Sequence, residues 1–143
     1  IEVAMDRAAI SAQDLERVVV CTGPGSFTGL RVGISAARGL SLGCAIPGIG
    51  VTCFEVMASV MSRAGVLRLP ARRGHIYVQS FDASGLPDGP PRLTDGEADP
   101  YLVDPLQLAH VGAQRTPGAR PAPVYVRGPD ADLPREGPPT VLD

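Results

Sequence analysis

The residues that could bind or transform a ligand are concentrated in residues 21–43, which run CTGPGSFTGLRVGISAARGLSLG. A glycine-rich loop that leads into a helix often binds phosphate, because the first N–H groups of the helix are free. A Walker A loop needs a lysine and then Ser or Thr after its second glycine, but Leu30 and Arg31 follow Gly29. The third glycine also comes one residue late for the Rossmann pattern. The loop therefore predicts weak anion binding at most, or a tight turn that needs glycine for its backbone geometry. The candidate anion-binding residues are Gly23, Gly25, Ser26 and Thr28.

Other residue types that serve catalysis are sparse. The two histidines, His75 and His110, lie far apart in the sequence, and no zinc-binding spacing such as HExxH occurs. Ser26 lies in Gly-Ser-Phe, which lacks the full GxSxG pattern of a hydrolase nucleophile. The three cysteines form no CxxC pair, and their apolar neighbours predict buried reduced thiols. We therefore predict no catalytic residue and no metal site.

The composition narrows the function classes further. The chain has 143 residues and a net charge of −2, from 13 basic and 15 acidic residues. All the basic residues are arginines, so no lysine is available for a Schiff base or a phosphate clamp. A slightly acidic chain is a poor lone binder of nucleic acid, because that affinity comes mainly from phosphate neutralisation. Without a signal peptide or an apolar run long enough to cross a bilayer, we expect a cytoplasmic protein that binds no membrane.

The hydrophobic pattern predicts the elements that must position the loop. A β-branched run at residues 17–21 indicates a strand covered on both faces, and the helix after the loop reaches about residue 42. Thr52 and Glu55 form a T-x-x-E capping box that begins another helix. Further strands are predicted at residues 46–52, 66–69 and 75–81. The order α-β-α-β-α-β-β predicts a layered α/β domain with a mixed sheet.

Proline dominates the rest of the chain. Twelve of the 15 prolines lie at or after residue 87. Because proline interrupts long helices and central strands, we expect loops there, one short helix near residues 105–110 and one extended segment at residues 124–126. The predicted units are residues 1–69, a shortened second unit at residues 70–131, and a tail at residues 132–143.

The helix after the loop carries small residues on more than one face. Glycine in a helix interior costs about 1 kcal/mol against alanine, which indicates that another element approaches closely. Small residues four apart form a shallow groove that suits such packing. The approaching element is either this domain's own sheet or a partner subunit, and both alternatives stay open. The two rows are Gly29, Gly33, Ala37 and Ser41, and Ser35, Gly39 and Gly43.

The motif GPGSFTGLRVGISAARGL closely resembles the signature of the TsaB (YeaZ) family, bacterial proteins needed to make threonylcarbamoyladenosine in tRNA. The resemblance continues through IPGIGVTCFEVMA and ARRGHIYVQSFD and returns in PVYVRGPDA. It implies an actin/hexokinase/sugar-kinase-like, ribonuclease H-like fold, with residues 1–69 as the remainder of an N-terminal actin-like subdomain. The family's N-terminal strand would lie before Ile1, so we expect that strand to be missing from this chain. At residues 70–75 the chain has PARRGH where the family usually has DARRGE, so Pro70 and His75 replace two acidic residues.

The resemblance implies a non-catalytic scaffold subunit that binds and stabilises TsaD, the subunit that transfers the threonylcarbamoyl group. It further implies that the small ATPase TsaE joins near this junction, that the isolated protein forms a homodimer through the same surface, and that tRNA is bound only through the complex. No tightly bound cofactor is expected, and ATP or ADP is the candidate ligand at the interface of the complex. The implied interface residues are Gly29, Leu30, Arg31, Gly33, Ile34, Ala37 and Arg38, with the two arginines as ion-pair or phosphate-facing groups.

The alternative function is a phosphotransferase or ATPase of the same actin–hexokinase superfamily. That chemistry needs an acidic phosphate loop near the N-terminus and a carboxylate that holds a metal ion. Older family labels use the name glycoprotease, but no residue pattern in this chain supports peptidase chemistry.

Overall fold

The computed structural model describes residues 1–60, 64–100 and 102–126. A short 3-10 turn, Ala12–Asp14, precedes the first strand. The helices are α1 (Glu2–Ala8), α2 (Phe27–Gly43), α3 (Cys53–Ala58) and α4 (Pro105–Ala113). The strands are β1 (Val18–Cys21), β2 (Gly48–Val51), β3 (Gly65–Pro70), β4 (His75–Phe81) and β5 (Arg92–Asp95).

Strands β1 and β2 form a parallel pair that lies between two helices. Successive side chains of a strand point to opposite faces. Val20 faces α2, where an added Cβ at Gly33 would lie 4.0 Å from its Cγ2. Val19 faces α4, where an added Cβ at Gly112 would lie 2.4 Å from both of its methyl carbons. Helix α4 thus approaches the sheet so closely that only glycine fits at position 112.

Helices cover β1 on both faces, as the sequence predicted, but the side chains of β1 are only half-buried. In the described residues this sheet has only two strands, and β1 keeps an unpaired edge. Two helices cannot enclose such a narrow ribbon completely. The fully buried positions lie instead in β2 and α3, at Val51, Phe54 and Val56.

Strands β3, β4 and β5 form a separate antiparallel sheet in that order. In its register Gly65 lies opposite Phe81, and His75 lies opposite Asp95. The mixed α/β class is confirmed, with the parallel and antiparallel ladders in two sheets. Strand β5 was missed, because nearby prolines favoured loops; its place at the edge of the sheet is where a proline-flanked strand can lie. The predicted unit boundary after residue 69 falls inside β3 and stays a prediction.

Helix α3 joins the two sheets through its buried face. The predicted capping box is confirmed: the Glu55 N–H donates to Thr52 Oγ1 (3.1 Å), and Glu55 Oε2 accepts from the Thr52 N–H (2.7 Å). Phe54 and Met57 pack with Leu67 of β3 in the larger core cluster. Met61, which follows Met57 at helical spacing, lies outside the described residues.

The C-terminal predictions had mixed outcomes. Helix α4 confirms the predicted short helix and extends it to Ala113. Residues 124–126 form no strand, although the Val124 N–H donates to the Thr22 carbonyl (2.9 Å). The predicted tail at residues 132–143 lies outside the described residues. Among the described helices, none is long and apolar enough to cross a membrane.

Candidate functional site

The loop between β1 and α2 is a tight turn held by backbone hydrogen bonds. The Thr22 N–H donates to the Val51 carbonyl, and the Cys53 N–H donates to the Gly23 carbonyl, both at 2.8 Å. Gly23 has a φ of +100°, and an added Cβ would lie 2.8 Å from Leu30 Cδ1. Glycine is therefore required at this position, for the backbone geometry that the sequence indicated.

The candidate anion-binding residues lie at different depths in this turn. Gly23 is buried, whereas Gly25, Ser26 and Thr28 are exposed at the start of α2. Ser26 is the N-cap, and its Oγ accepts a hydrogen bond from the Gly29 N–H (3.4 Å). The serine hydroxyl thus contributes to helix initiation. Anion binding by these residues stays a prediction.

The inner face of α2 packs against the chain's own sheet. Ile34 and Ala37 are buried, and Gly33 lies against Val20 of β1. The Ser41 hydroxyl donates to the backbone carbonyl of Ile46. Intramolecular packing therefore accounts for the row of small residues that contains positions 33, 37 and 41.

The opposite side of α2 is exposed in the described part of the chain. Its residues recur at intervals of three and four, so they share one face of the helix. Val32 is 64% exposed and Leu42 is 81% exposed. An added Cβ at Gly39 or Gly43 would meet no described heavy atom within 4 Å. We call this surface the outer face of α2: Val32, Ser35, Ala36, Gly39, Leu42 and Gly43.

The interface residues implied by the family resemblance are spread around α2. Three of them, Gly33, Ile34 and Ala37, belong to the inner face, and Leu30 is half-buried under the loop. Gly29 is exposed in the first turn. Their interface role stays a prediction. The sequence argument identified Ser35, Gly39 and Gly43 of the outer face as a second small-residue row. It missed Val32 and Leu42, whose helical spacing among small residues was a usable signal.

Arg31 and Arg38 lie on one flank of α2 and hold a C-terminal segment. The Arg38 guanidinium donates two hydrogen bonds to the Pro121 carbonyl, with Nε at 2.8 Å. Arg31 Nε donates to the Tyr125 hydroxyl (3.0 Å), and its guanidinium lies 3.9 Å from the centroid of the Phe27 ring. In this structure the two arginines contact uncharged oxygens and an aromatic ring, and their role as ion-pair or phosphate-facing groups stays a prediction.

Glu55 is a half-buried carboxylate in the first turn of α3, and it is engaged in a hydrogen-bond network. Burial raises its pKa, but the Thr52 backbone N–H, the Arg115 guanidinium and the Thr52 hydroxyl together outweigh burial and hold the pKa below its usual range. Arg115 also donates to the Gly50 carbonyl (3.0 Å). The ionised Glu55 side chain thus links α3 to the segment that follows α4.

His75 marks the position where the family usually has glutamate. Its Nδ1 lies 2.6 Å from Asp95 Oδ1, in the exposed pair that joins β4 to β5. In the described ranges, no three His, Cys, Asp or Glu side chains come together as metal ligands would. The hairpin therefore shows a cross-strand polar contact at this position.

Comparison with known proteins gives the family. A family model described as TsaD, tRNA N6-adenosine threonylcarbamoyltransferase, matches residues 1–85, which is more than half of the chain. TsaB of Escherichia coli (strain K12) is 35% identical over 100 residues, or 65% of this chain and 42% of that protein. TsaB of Bacillus subtilis (strain 168) is 38% identical over 71 residues, or 48% of this chain and 31% of that protein. The chain thus spans less than half the length of these curated relatives.

Solved structures show the same fold. A Pseudomonas aeruginosa protein described as similar to peptidase YEAZ superimposes with a TM-score of 0.69 at 18% identity, over 88% of this chain and 80% of that one. YeaZ from Pseudomonas aeruginosa superimposes with a TM-score of 0.56 at 20% identity, over 68% of this chain and 50% of that one. With the match to residues 1–85, these comparisons confirm the resemblance to TsaB (YeaZ). The chain belongs to the protein family that the TsaD model describes, and its relatives include TsaB proteins.

Proposed function

We propose that this chain acts in the formation of threonylcarbamoyladenosine in tRNA, as a TsaB-like subunit without catalytic chemistry of its own. Its role is to bind and stabilise a TsaD-like subunit. The observation that carries the proposal is the outer face of α2, an exposed helical surface in a chain whose relatives include both TsaB and threonylcarbamoyltransferases.

The chemistry of the outer face suits a partner helix. Positions 35, 36, 39 and 43 carry only Ser, Ala or Gly, so a second helix can approach the backbone of α2 closely. Val32 and Leu42 stand at the two ends of this small-residue surface and would bury apolar area on docking. No charged side chain belongs to the outer face, so docking leaves no unpaired charge there.

The N-terminal helix is a second exposed helix of the described chain. Helix α1 has no buried residue, and Val3 is 64% exposed. Apolar side chains on α1 and on the outer face of α2 are therefore both available to a partner. We propose that the two helices together contribute to the docking surface.

The remaining parts of the proposal derive from the family resemblance. A TsaE-like ATPase joins near the junction with the TsaD-like subunit, and ATP or ADP binds at the interface of the complex. The protein contacts tRNA only as part of the complex. In the absence of its partner, the protein forms a homodimer through the same outer face.

The test is copurification of the full-length protein with the TsaD-like subunit of the same organism, followed by measurement of the mass and affinity of the complex. We expect a one-to-one complex. The variant Ala36→Arg places an unpaired charge in the centre of the outer face, which costs about 3–5 kcal/mol when buried. We therefore expect its dissociation constant to rise by more than about 100-fold.

The matched control is Ala83→Arg, which adds the same charge in the exposed turn after β4. It should bind like the unsubstituted protein, and circular dichroism should show both variants folded. Binding of Ala36→Arg at the original affinity would remove the outer face as the interface. Nucleotide turnover by the protein alone, without any complex, would instead favour the phosphotransferase alternative.

A further inference from the structure

Two cysteines that are distant in sequence meet beside the loop that precedes α2. Cys21 ends β1, and Cys53 begins α3. Parallel pairing places the ends of β1 and β2 side by side, and α3 starts two residues after β2 ends. As a result, the two Sγ atoms lie 3.1 Å apart. A disulfide bond of about 2.05 Å would need the sulfurs to approach by only roughly 1 Å.

The surroundings give the two thiols different roles. Cys53 is buried, and its Sγ lies 3.4 Å from the Pro24 carbonyl, whereas Cys21 is half-buried. The hydrogen bond from Cys53 lowers the pKa of Cys21 to about 7, against burial, which raises it, and with a further contribution from the Gly23 backbone. The same hydrogen bond and burial raise the pKa of Cys53. Cys21 is therefore the thiol that ionises more readily, and it is the more exposed residue of the two.

We propose that Cys21 and Cys53 are a redox modification site, at which a peroxide converts the two thiols into a reversible intramolecular disulfide. The site is distinct from the outer face of α2 and does not depend on the proposed function. The contact between the sulfurs, the partial exposure of one thiol and the burial of the other carry the proposal.

The chemistry balances with hydrogen peroxide as the oxidant. The Cys21 thiolate attacks one peroxide oxygen, the O–O bond breaks, and a sulfenic acid forms while the second oxygen leaves as water after taking up a proton. The Cys53 sulfur then attacks the sulfenic sulfur, its proton leaves with the displaced hydroxyl, and a second water forms. Each sulfur loses one electron and the peroxide gains two. A dithiol reductant reverses the bond by thiol–disulfide exchange.

Cys44 provides an internal control. It is half-buried like Cys21, but it follows the last residue of α2, at the end of the helix away from the pair. All three cysteines lie in the described part of the chain, and the hydrogen bond between cysteine sulfurs there joins Cys21 to Cys53. A reaction controlled by this contact should therefore spare Cys44.

The experiment treats the full-length protein with hydrogen peroxide, blocks the remaining thiols under denaturing conditions, and maps the peptides by mass spectrometry without reduction. We expect a Cys21–Cys53 cross-linked peptide and free Cys44, with complete reversal by dithiothreitol. Cys44→Ser should behave in the same way. In Cys53→Ser we expect no cross-link, and a sulfenic acid at Cys21 that dimedone traps.

The pH dependence of alkylation is the second measurement. Reaction of Cys21 with iodoacetamide should rise with a midpoint near pH 7. In Cys53→Ala the hydrogen bond is lost, and the midpoint should shift upward. Overoxidation of Cys21 without a cross-link, or a disulfide that includes Cys44, would overturn the proposal.

Discussion

The two faces of α2 carry similar residues and have different structural roles. On the inner face Gly33 lies against Val20 of β1 and Ile34 and Ala37 are buried, so the sheet fills the groove that small residues leave. The outer face has an equal run of small residues, yet Val32 and Leu42 beside them are exposed. A row of glycine and alanine four residues apart therefore indicates close packing, but it does not indicate with what. The burial of the larger neighbours decides between the sheet and a partner.

The flank of α2 between the two faces is covered by contacts within the chain. Arg31 and Arg38 bind the segment around Pro121 and Tyr125, which lies along this side of the helix. That segment also packs on the sheet, since Pro121 lies 3.5 Å from an added Cβ at Gly48. Intramolecular contacts therefore cover the inner face and one flank, and in the described residues they end before the outer face.

The largest predicted effect comes from truncating one large side chain on each face. Ile34 is 3% exposed and Val32 is 64% exposed. Ile34→Ala removes buried methyl and methylene groups and leaves a cavity, so we expect it to lower the free energy of unfolding by about 2–5 kcal/mol. Val32→Ala should change it by no more than about 0.5 kcal/mol. Urea denaturation of the full-length chain, followed by circular dichroism, measures both.

For binding to the TsaD-like subunit, the order of the two effects should be reversed: Val32→Ala should have the larger effect and Ile34→Ala the smaller. Val32→Ala removes apolar area from the outer face and should weaken binding. Ile34→Ala, measured at a temperature where it is folded, should bind almost normally. Equal destabilisation by the two substitutions would mean that α2 is covered on both sides within the chain.

Local sequence rules predicted most of the elements, because their signals are carried by a few neighbouring residues. The capping box of Thr52 and Glu55 was identified from two positions, and the hairpin that contains His75 from its alternation. The missed strand, β5, has only four residues between Pro91 and Gly96. Such a strand is defined by pairing with β4, which is a tertiary contact and leaves little trace in local sequence.

The site was predicted less completely than the fold, for a physical reason. The sequence identified α2 and both of its small-residue rows, but which row faces the sheet depends on the rotation of the helix about its axis. That rotation places Ile34 and Ala37 on the buried side of α2, which packs on β1. The contact between Cys21 and Cys53 likewise depends on the parallel pairing of β1 with β2. Neither feature follows from residue spacing alone.

An intermediate loss of stability is expected on removing Arg115, which anchors the segment that follows α4. Arg115 binds the Glu55 carboxylate and donates to the Gly50 carbonyl. Arg115→Ala leaves a partly buried carboxylate without its charged partner, and we expect a loss of about 1–3 kcal/mol in the free energy of unfolding at neutral pH. If this anchor holds the segment against α2, the flank at Arg38 should also become more accessible to hydrogen exchange.

The pH dependence of stability tests whether the contribution of the Glu55–Arg115 pair is electrostatic. The folded-state pKa of Glu55 is lowered, so its ionised form stabilises the fold above the unfolded-state pKa of about 4.3. That stabilisation is lost as the pH falls through the lower folded-state value. The difference between the unsubstituted protein and Arg115→Ala should therefore shrink on acidification. Arg92→Ala, on the exposed edge strand, is the control and should show no such convergence. A constant difference across this pH range would show that the Arg115 contribution is not electrostatic.

The smallest predicted effect comes from replacing one glycine on each face of α2 with alanine. Gly39 lies in the interior of α2 on the outer face, and an added Cβ would meet no described atom within 4 Å. Gly39→Ala should therefore stabilise the isolated chain by about 0.5–1 kcal/mol, because alanine loses less conformational freedom in a helix. Gly33→Ala should give a similar gain, since its Cβ would only reach van der Waals contact with Val20 at 4.0 Å.

If a partner helix packs closely on the outer face, the stability gained by Gly39→Ala comes with weaker binding of the partner, whereas the stability gained by Gly33→Ala does not. Thermal denaturation and titration with the TsaD-like subunit test the pair together, and equal binding by both variants would mean that no helix approaches Gly39 closely.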